Sequence, residues 1–154
     1  MNNTLTLYER FSIYPFGSQI FSRALGFRAP YFSTIHPHVT HLRSGYCRVE
    51  IKDRRSMRNH LGTVHAGVLC TLSELAGGLA VEATLPRGLR WIPKEMTVQY
   101  LKKARGKLVG ECTVDQSILL PGDVRVPLEI KDEAGDIVLA AVITFYISER
   151  KPAK

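Results

Sequence analysis

Residues 59–67, NHLGTVHAG, form a polar, glycine-containing stretch that runs directly into a mostly apolar segment, residues 68–85. The apolar segment predicts a buried helix that begins near His65 and directs the free N–H groups of its first turn into the loop. Glu74 follows Gly67 by seven residues, close to two helical turns, so the acid and the helix start share one face. N–H groups that can hold a developing negative charge, with a carboxylate on the same side, indicate a hydrolytic site.

The predicted helix extends over roughly residues 65–84 and ends before Pro86. Its apolar residues recur at helical spacing, which is typical of a core helix. Gly77 and Gly78 each cost about 1 kcal/mol relative to alanine inside a helix, so they indicate the close approach of another backbone or of a ligand. The less apolar face carries Gly67, Thr71, Glu74, Gly78 and Val81.

The segments on either side of this helix predict further helices and a sheet. Residues 3–25 have helical spacing with an interruption at Pro15. The last strand is apolar on both faces, so we expect it to be central and covered, and residues 133–136 predict the hairpin turn before it. Strands are predicted at residues 35–42, where Pro37 requires an edge or a bulge, and at 46–53, 96–102, 107–116, 124–132 and 137–148.

About six strands against one long helix are an α+β architecture. A sheet that wraps a single helix leaves part of that helix and one strand edge uncovered, and pairing of two subunits would cover both. The 154 residues suit one domain, 1–154. Within it we expect a helical N-terminal segment at residues 1–30 and a flexible tail at residues 150–154.

The composition is that of an ordinary soluble globular protein, with 45% hydrophobic and 23% charged residues. Three cysteines, Cys47, Cys70 and Cys112, give an odd count without a C-x-x-C pair, which favours a reducing compartment and small buried thiols. The N-terminus has no secretory pattern, and we read no apolar run as long enough to span a membrane. We therefore expect a cytoplasmic protein.

The net charge of +7 favours anionic partners. The basic residues near the loop are either solvated surface charges or contacts to a ligand that carries phosphates. Binding to nucleic acid is the weaker alternative, because no platform of interleaved aromatic and basic residues is visible. The basic residues in question are Arg54, Arg55 and Arg58 before the loop, and Lys102, Lys103, Arg105 and Lys107 around a later turn.

His36, His38 and His41 resemble a metal cluster at first sight. In a strand, His36 and His38 share a face but His41 does not, and no acid or cysteine is near in sequence to complete a site. The chain has neither a phosphate-binding P-loop nor a dinucleotide-binding G-x-G-x-x-G motif. We therefore expect neither a metal nor another cofactor.

The order of elements resembles the hotdog fold, in which a curved antiparallel sheet wraps a central helix and subunits pair. The loop is similar to the N-x-x-G-x-x-H-G-G signature of acyl-CoA thioesterases of the phenylacetate-degradation and 4-hydroxybenzoyl-CoA type. Glu74 stands nine residues after His65, where those enzymes carry an acid. The resemblance covers residues 35–148, and the N-terminal helices are similar to a less characterised branch of the superfamily. The matching loop residues are Asn59, Gly62, His65, Ala66 and Gly67.

This resemblance implies an acyl-CoA thioesterase. The Ala66 and Gly67 N–H groups would hold the thioester oxygen, Glu74 would act as general base or nucleophile, Asn59 would orient water or the carboxylate, and His65 would hold the loop. The acyl chain would run along the helix, where Gly77 and Gly78 leave room, and relatives build the site across a dimer interface. The expected substrate-binding residues are Gly62, Thr71, Gly78, Arg54, Arg55, Arg58, Lys102 and Lys103.

Two positions depart from the family pattern. Ala66 replaces the first glycine of the pair, which keeps the N–H but adds a methyl group, and Gly78 stands where some relatives carry a hydroxyl. These departures favour the alternative of a dimer that binds an acyl group or fatty acid without turnover. Asn59 is equally well explained as a turn cap. A hotdog dehydratase is a further alternative, but those enzymes have a different arrangement of histidine and acid, which we do not find in this sequence. The carrier, CoA or acyl carrier protein, and the choice between homodimer and homotetramer stay open.

Overall fold

The structure, a computed structural model, describes residues 3–150. The predicted helical N-terminal region forms α1 (Asn3–Ser12) and α2 (Gly17–Arg28), with the break at Pro15 that the sequence predicts. Short 3-10 helices follow at Pro30–Ile35, Arg55–Met57 and Gln116–Ile118. The long helix α3 extends over Ala66–Thr84 and ends two residues before Pro86. Residues 1–2 of the N-terminal segment and most of the predicted tail, residues 151–154, lie outside the described residues.

Six antiparallel strands form one sheet in the order β1-β2-β4-β5-β6-β3. The prediction of about six strands around one helix is therefore confirmed. Strand β6 lies inside the sheet, but it is next to the edge strand β3 and not central as expected. Its outward residues Ala140, Val142 and Thr144 are only half-buried, because α3 covers the other face of the sheet. The strands are β1 (His38–Arg43), β2 (Tyr46–Lys52), β3 (Leu89–Tyr100), β4 (Lys107–Thr113), β5 (Gly122–Lys131) and β6 (Ile137–Glu149).

The core lies between α3 and the concave face of the sheet. Gly77 allows the helix to approach the sheet closely, since a Cβ atom there would lie 3.0 Å from Ile143 Cδ1 and 3.1 Å from Leu128 Cδ2. Gly110 of β4 does the same from the opposite side, against Leu72. The sequence prediction of close approach at Gly77 is thus explained by packing of the helix on the sheet.

By the test of length and composition, helix α3 is long and apolar enough to cross a membrane, but 67% of an 18-residue stretch of it is buried inside the protein. This burial agrees with the sequence prediction that residues 68–85 form a buried helix. A core helix of a soluble protein passes the same test, because burial and membrane insertion select the same residues. In this fold α3 occupies the concave face of the sheet.

The N-terminal helices pack over the edge formed by β1. The Val39 N–H donates to Ser22 Oγ at 2.8 Å, and the Tyr8 hydroxyl donates to the Thr40 carbonyl at 2.7 Å. Tyr8 and Phe21 pack edge to face with ring centroids 5.1 Å apart. The opposite edge of the sheet, strand β3, has no comparable cover among residues 3–150.

Candidate active site

The loop before α3 is a tight turn that Asn59 holds together. Its side-chain Oδ1 accepts hydrogen bonds from the N–H groups of Leu61 (3.0 Å) and Thr63 (3.2 Å), and its Nδ2 lies 3.0 Å from Thr63 Oγ1. The Asn59 N–H donates to the Thr63 carbonyl at 2.8 Å. Gly62 has φ 69°, the left-handed region that favours glycine. Asn59 therefore has the turn-capping geometry, and Gly62 serves the shape of the loop.

His65 is the N-cap of α3. Its Nδ1 accepts a hydrogen bond from the Gly67 N–H at 2.9 Å, and its own N–H donates to the Met57 carbonyl at 2.8 Å. This is the loop-holding geometry expected for His65. The His65 ring therefore occupies the Gly67 N–H, which is one of the two predicted oxyanion donors. The Ala66 N–H has no acceptor among residues 3–150 and is the donor available at the helix start.

Glu74 is half-buried on a helix whose neighbouring residues are almost all buried. Leu72, Ser73, Leu75 and Ala76 are each at most 3% exposed, so Glu74 lies where the helix reaches the surface. Its carboxylate has no hydrogen-bond or ion-pair partner in the described part of the chain. A carboxylate in this state is available to a ligand or to water.

Two predicted substrate contacts face protein instead. The Thr71 hydroxyl donates back to the Gly67 carbonyl at 2.8 Å, and the side chain is buried. Trp91 fills the space beside Gly78, where a Cβ atom would lie 3.0 Å from the indole ring. This geometry contradicts the expectation that Gly78 leaves room for an acyl chain in this subunit. Helical spacing alone does not distinguish an open groove from one that is filled by a distant strand.

Tyr100 lies beside the site, although the sequence analysis did not select it. Its hydroxyl is 3.2 Å from Cys70 Sγ, one turn before Glu74. This hydrogen bond, together with burial, raises the pKa of Tyr100. No local sequence pattern predicts this pair, because strand β3 brings in a residue 30 positions away. Cys70 is only half-buried and so differs from the fully buried Cys47 and Cys112.

The predicted basic residues divide into paired and unpaired groups. Arg58 donates to Asp53 Oδ1 at 2.8 Å, and Lys102 lies within ion-pair distance of Asp132 and Asp136. These two cations are already neutralised by carboxylates of the same subunit. Arg54, Arg55 and Lys103 are exposed and have no acidic partner in residues 3–150.

The histidines outside the loop have other contacts. His38 Nε2 lies 2.9 Å from Ser18 Oγ, and His41 Nδ1 lies 3.2 Å from Thr40 Oγ1. No three His, Cys, Asp or Glu side chains in the described ranges are close enough together to hold a metal ion.

Comparison with solved structures identifies the fold. A crystal structure of the genomics target APC5556 is 36% identical, has a TM-score of 0.85, and the match covers 96% of this chain and 99% of that one. A Pseudomonas aeruginosa protein of unknown function, named a probable thioesterase, has a TM-score of 0.75 at 23% identity over 84% of this chain and 94% of its own. The hotdog fold expected from the order of helices and strands is confirmed.

Comparison with protein sequences gives the family. A Halobacterium salinarum protein named a putative esterase is 36% identical over 75 residues, 46% of this chain. The matched region spans half the length of that relative. The profile of a family described as a domain of unknown function (DUF4442) matches residues 17–147, which include the loop, α3 and nearly the whole sheet. The chain therefore belongs to this DUF4442 family.

Proposed function

We propose that this protein hydrolyses an acyl-CoA thioester, with the Glu74 carboxylate as general base or nucleophile. The observation that carries the proposal is the unpartnered, half-buried Glu74 carboxylate on the face of α3 where the helix start offers the Ala66 N–H. Esterase and thioesterase names on the Halobacterium and Pseudomonas proteins support hydrolysis as the reaction class.

In the proposed reaction the Ala66 N–H binds the thioester oxygen and stabilises the negative charge that develops on it. One such donor is worth ~3 kcal/mol in the transition state. Glu74 takes a proton from water while the water oxygen bonds to the acyl carbon. The carbon–sulfur bond then breaks, and the leaving thiolate receives the proton, which gives a free acid and a thiol. Direct attack by the Glu74 carboxylate, followed by hydrolysis of the anhydride, is the other route.

The position of Glu74 bears on the number of subunits in the site. Seven residues of helix separate Glu74 from Gly67, a rise of about 10 Å along the axis. A thioester carbonyl held at the helix start of one subunit is therefore distant from the backbone of Glu74 in the same subunit. We propose that Glu74 serves the loop of a partner subunit, with the acyl chain between the two.

The test is free-thiol release from short, long and aromatic acyl-CoAs by the wild type and by Glu74→Gln. We expect turnover in the wild type and a loss of roughly 10²–10⁴ in rate in the variant. Glu9→Gln, which removes an exposed carboxylate from α1, is the matched control and should keep full activity. Equal rates in Glu74→Gln and the control would exclude Glu74 as the catalytic group.

The second candidate function is binding of an acyl group without turnover. It is favoured by the hydrogen bond from the Gly67 N–H to His65, which leaves only one of the two expected oxyanion donors free. A protein that binds acyl-CoA or fatty acid, releases no thiol from any substrate, and binds equally well as Glu74→Gln would support this function instead.

A further inference from the structure

A cleft of about 930 Å³ lies outside the Glu74 site, between the N-terminal helices and the sheet. Helix α2 contributes Arg23 and Phe27, and the turn after the first 3-10 helix contributes His36. Lys52 at the end of β2 and Arg54 just after it complete the wall. The cleft is thus built largely from residues 19–38, which include α2, and from residues 50–54 before the loop.

The cleft opens at the same end of the sheet as the catalytic loop. Strand β2 ends at Lys52, opposite the beginning of β4 at Lys107. The Asp53 N–H donates to the Gly106 carbonyl, and the Val64 N–H of the loop donates to the Ala104 carbonyl. The chain therefore passes from the cleft to the loop along one end of the sheet.

The cleft carries uncompensated positive charge. Arg23, Lys52 and Arg54 are exposed and have no acidic partner among residues 3–150. Among the described residues that line the cleft, Glu50 is the one acid, and it is already paired with Arg48 at 2.8 Å and Lys107 at 3.5 Å. Three free cations around one concavity favour an anion with several charges, such as a group of phosphates.

The wall of the cleft also offers an aromatic surface. Phe27 is 88% exposed, which is unfavourable for an aromatic ring in water unless a ligand covers it. His36 adopts φ 46° directly before Pro37, a conformation that side-chain-bearing residues rarely adopt. Strained positions of this kind occur mainly where the surrounding structure holds a functional side chain in place. An aromatic face beside phosphate-binding cations is the chemistry that recognises a nucleotide.

We propose that this cleft binds the phosphorylated adenosine end of coenzyme A, with Arg23, Lys52 and Arg54 on the phosphates and Phe27 against the adenine. The assignment of coenzyme A as the ligand rests on the proposed thioesterase function. The cleft favours CoA over an acyl carrier protein as the acyl carrier, because the phosphopantetheine arm of a carrier protein has no adenosine. In this proposal the phosphates contact the cations of the cleft instead of Arg55, Arg58, Lys102 and Lys103, which the sequence analysis had suggested.

The first test needs no hydrolysis. Binding of adenosine 3′,5′-bisphosphate and, separately, of inorganic phosphate would be measured by calorimetry at low salt. The variants are the double substitution Arg23→Ala/Arg54→Ala, the single substitution Phe27→Ala, and the control Arg125→Ala. Arg125 is exposed on β5 and lies roughly 20 Å along the strand from the cleft end of the sheet.

We expect the bisphosphate to bind the wild type and Arg125→Ala equally. The Kd should rise roughly 100-fold in the double variant and about tenfold in Phe27→Ala. Equal affinity for the bisphosphate in the double variant and the control, or no binding to the wild type, would contradict the proposal that this cleft binds phosphates. Binding of the bisphosphate that is no tighter than that of phosphate and indifferent to Phe27→Ala would overturn the nucleotide as its ligand.

The second test separates the cleft from the catalytic proposal. Hydrolysis of an acyl-CoA would be compared with that of the same acyl group on pantetheine, which lacks the nucleotide. The proposal predicts a KM for acyl-CoA that rises at least tenfold in the double variant, with the acyl-pantetheine KM unchanged. Hydrolysis with equal acyl-CoA KM values in the double variant and Arg125→Ala would overturn the cleft and leave the thioesterase. Bisphosphate binding that follows the variants, in a protein that releases no thiol, would support the cleft and overturn the thioesterase.

Discussion

At the scale of single residues, the loop uses its polar side chains mainly on itself. Asn59 accepts two backbone N–H groups from its own turn, and His65 accepts one from the first turn of α3. Side chains with these partners set the shape of the loop and the direction of the helix start. Glu74 differs, since its carboxylate has no partner within the described residues. The residue-level contrast therefore separates the groups that build the site from the group that is free to react.

Substitutions of Asn59 test whether its side chain holds the turn. Asn59→Ala removes the acceptor for the Leu61 and Thr63 N–H groups, and we expect the free energy of unfolding to fall by about 1–2 kcal/mol. Asn59→Asp keeps a carboxylate oxygen at the same place, and the Thr63 hydroxyl can donate to it, so it should keep most of the stability. Urea unfolding of the three proteins measures the difference. Equal losses in both variants would show that the side-chain acceptor does not hold the turn.

The sequence could not decide the role of Asn59, because a turn cap and a water-orienting amide need the same residue. What decides is where the side-chain oxygen points, and that depends on the fold of the whole loop. Thr71 shows the same limit: helical spacing correctly puts it near the Glu74 face, but its hydroxyl bonds to the Gly67 carbonyl. By contrast, the direction of the helix start and the surface position of Glu74 follow from periodicity alone.

At the scale of elements, the strands with clear alternation were predicted closely. Strand β2 alternates buried Cys47, Val49 and Ile51 with outward polar residues, and it begins at Tyr46 as expected. Strand β3 begins at Leu89, seven residues before the predicted start at Met96. Its first half contains Pro93 and only two apolar residues that face the core, Leu89 and Trp91, so its strand conformation depends on the pairing with β6. Long-range pairing of this kind leaves no local pattern in the sequence.

The segment between β2 and α3 is anchored by Asp53. The hydrogen bond from Arg58 lowers the pKa of Asp53, with a further contribution from the Gly106 N–H. A carboxyl group whose pKa is lower in the folded than in the unfolded protein stabilises the fold above its unfolded pKa, near 3.8. That stabilisation is lost as the pH falls through the lower, folded pKa.

We therefore expect Asp53→Asn to destabilise the protein by a constant amount between about pH 5 and pH 8, and by progressively less below about pH 4. Urea unfolding of the wild type and Asp53→Asn over this range measures the effect. Glu133→Gln, at an exposed turn, is the control for loss of a carboxylate. A difference between wild type and Asp53→Asn that does not change with pH would show that the charge of Asp53 contributes nothing to anchoring.

At the scale of the whole molecule, the two edges of the sheet differ in how they are covered. The β1 edge is covered by α1 and α2, which form hydrogen bonds to it through Tyr8 and Ser22. The β3 edge is 12 residues long and, within residues 3–150, is paired only with β6. It carries exposed apolar side chains, Ile92 at 59% and Tyr100 at 52% exposure. A long open edge with exposed apolar residues favours pairing with a second chain, and Tyr100 brings that edge next to the Glu74 site.

We expect the protein to be a dimer, with twice the 17.3 kDa mass of the chain, formed along β3. Ile92→Lys places a charge at the open edge and should raise the dimer dissociation constant at least tenfold, because a lysine buried between two strands loses its hydration. Leu120→Lys changes a similarly exposed leucine, 64% exposed, which precedes β5 and is not part of β3, and it should leave the dimer intact. Sedimentation velocity over a range of concentrations distinguishes the three proteins. A wild type that sediments as a monomer, or equal dissociation constants in both variants, would contradict association through β3. We propose that Glu74 serves the partner's loop. The rate of thiol release per subunit of Ile92→Lys should therefore rise with protein concentration, in parallel with the dimer fraction of that variant.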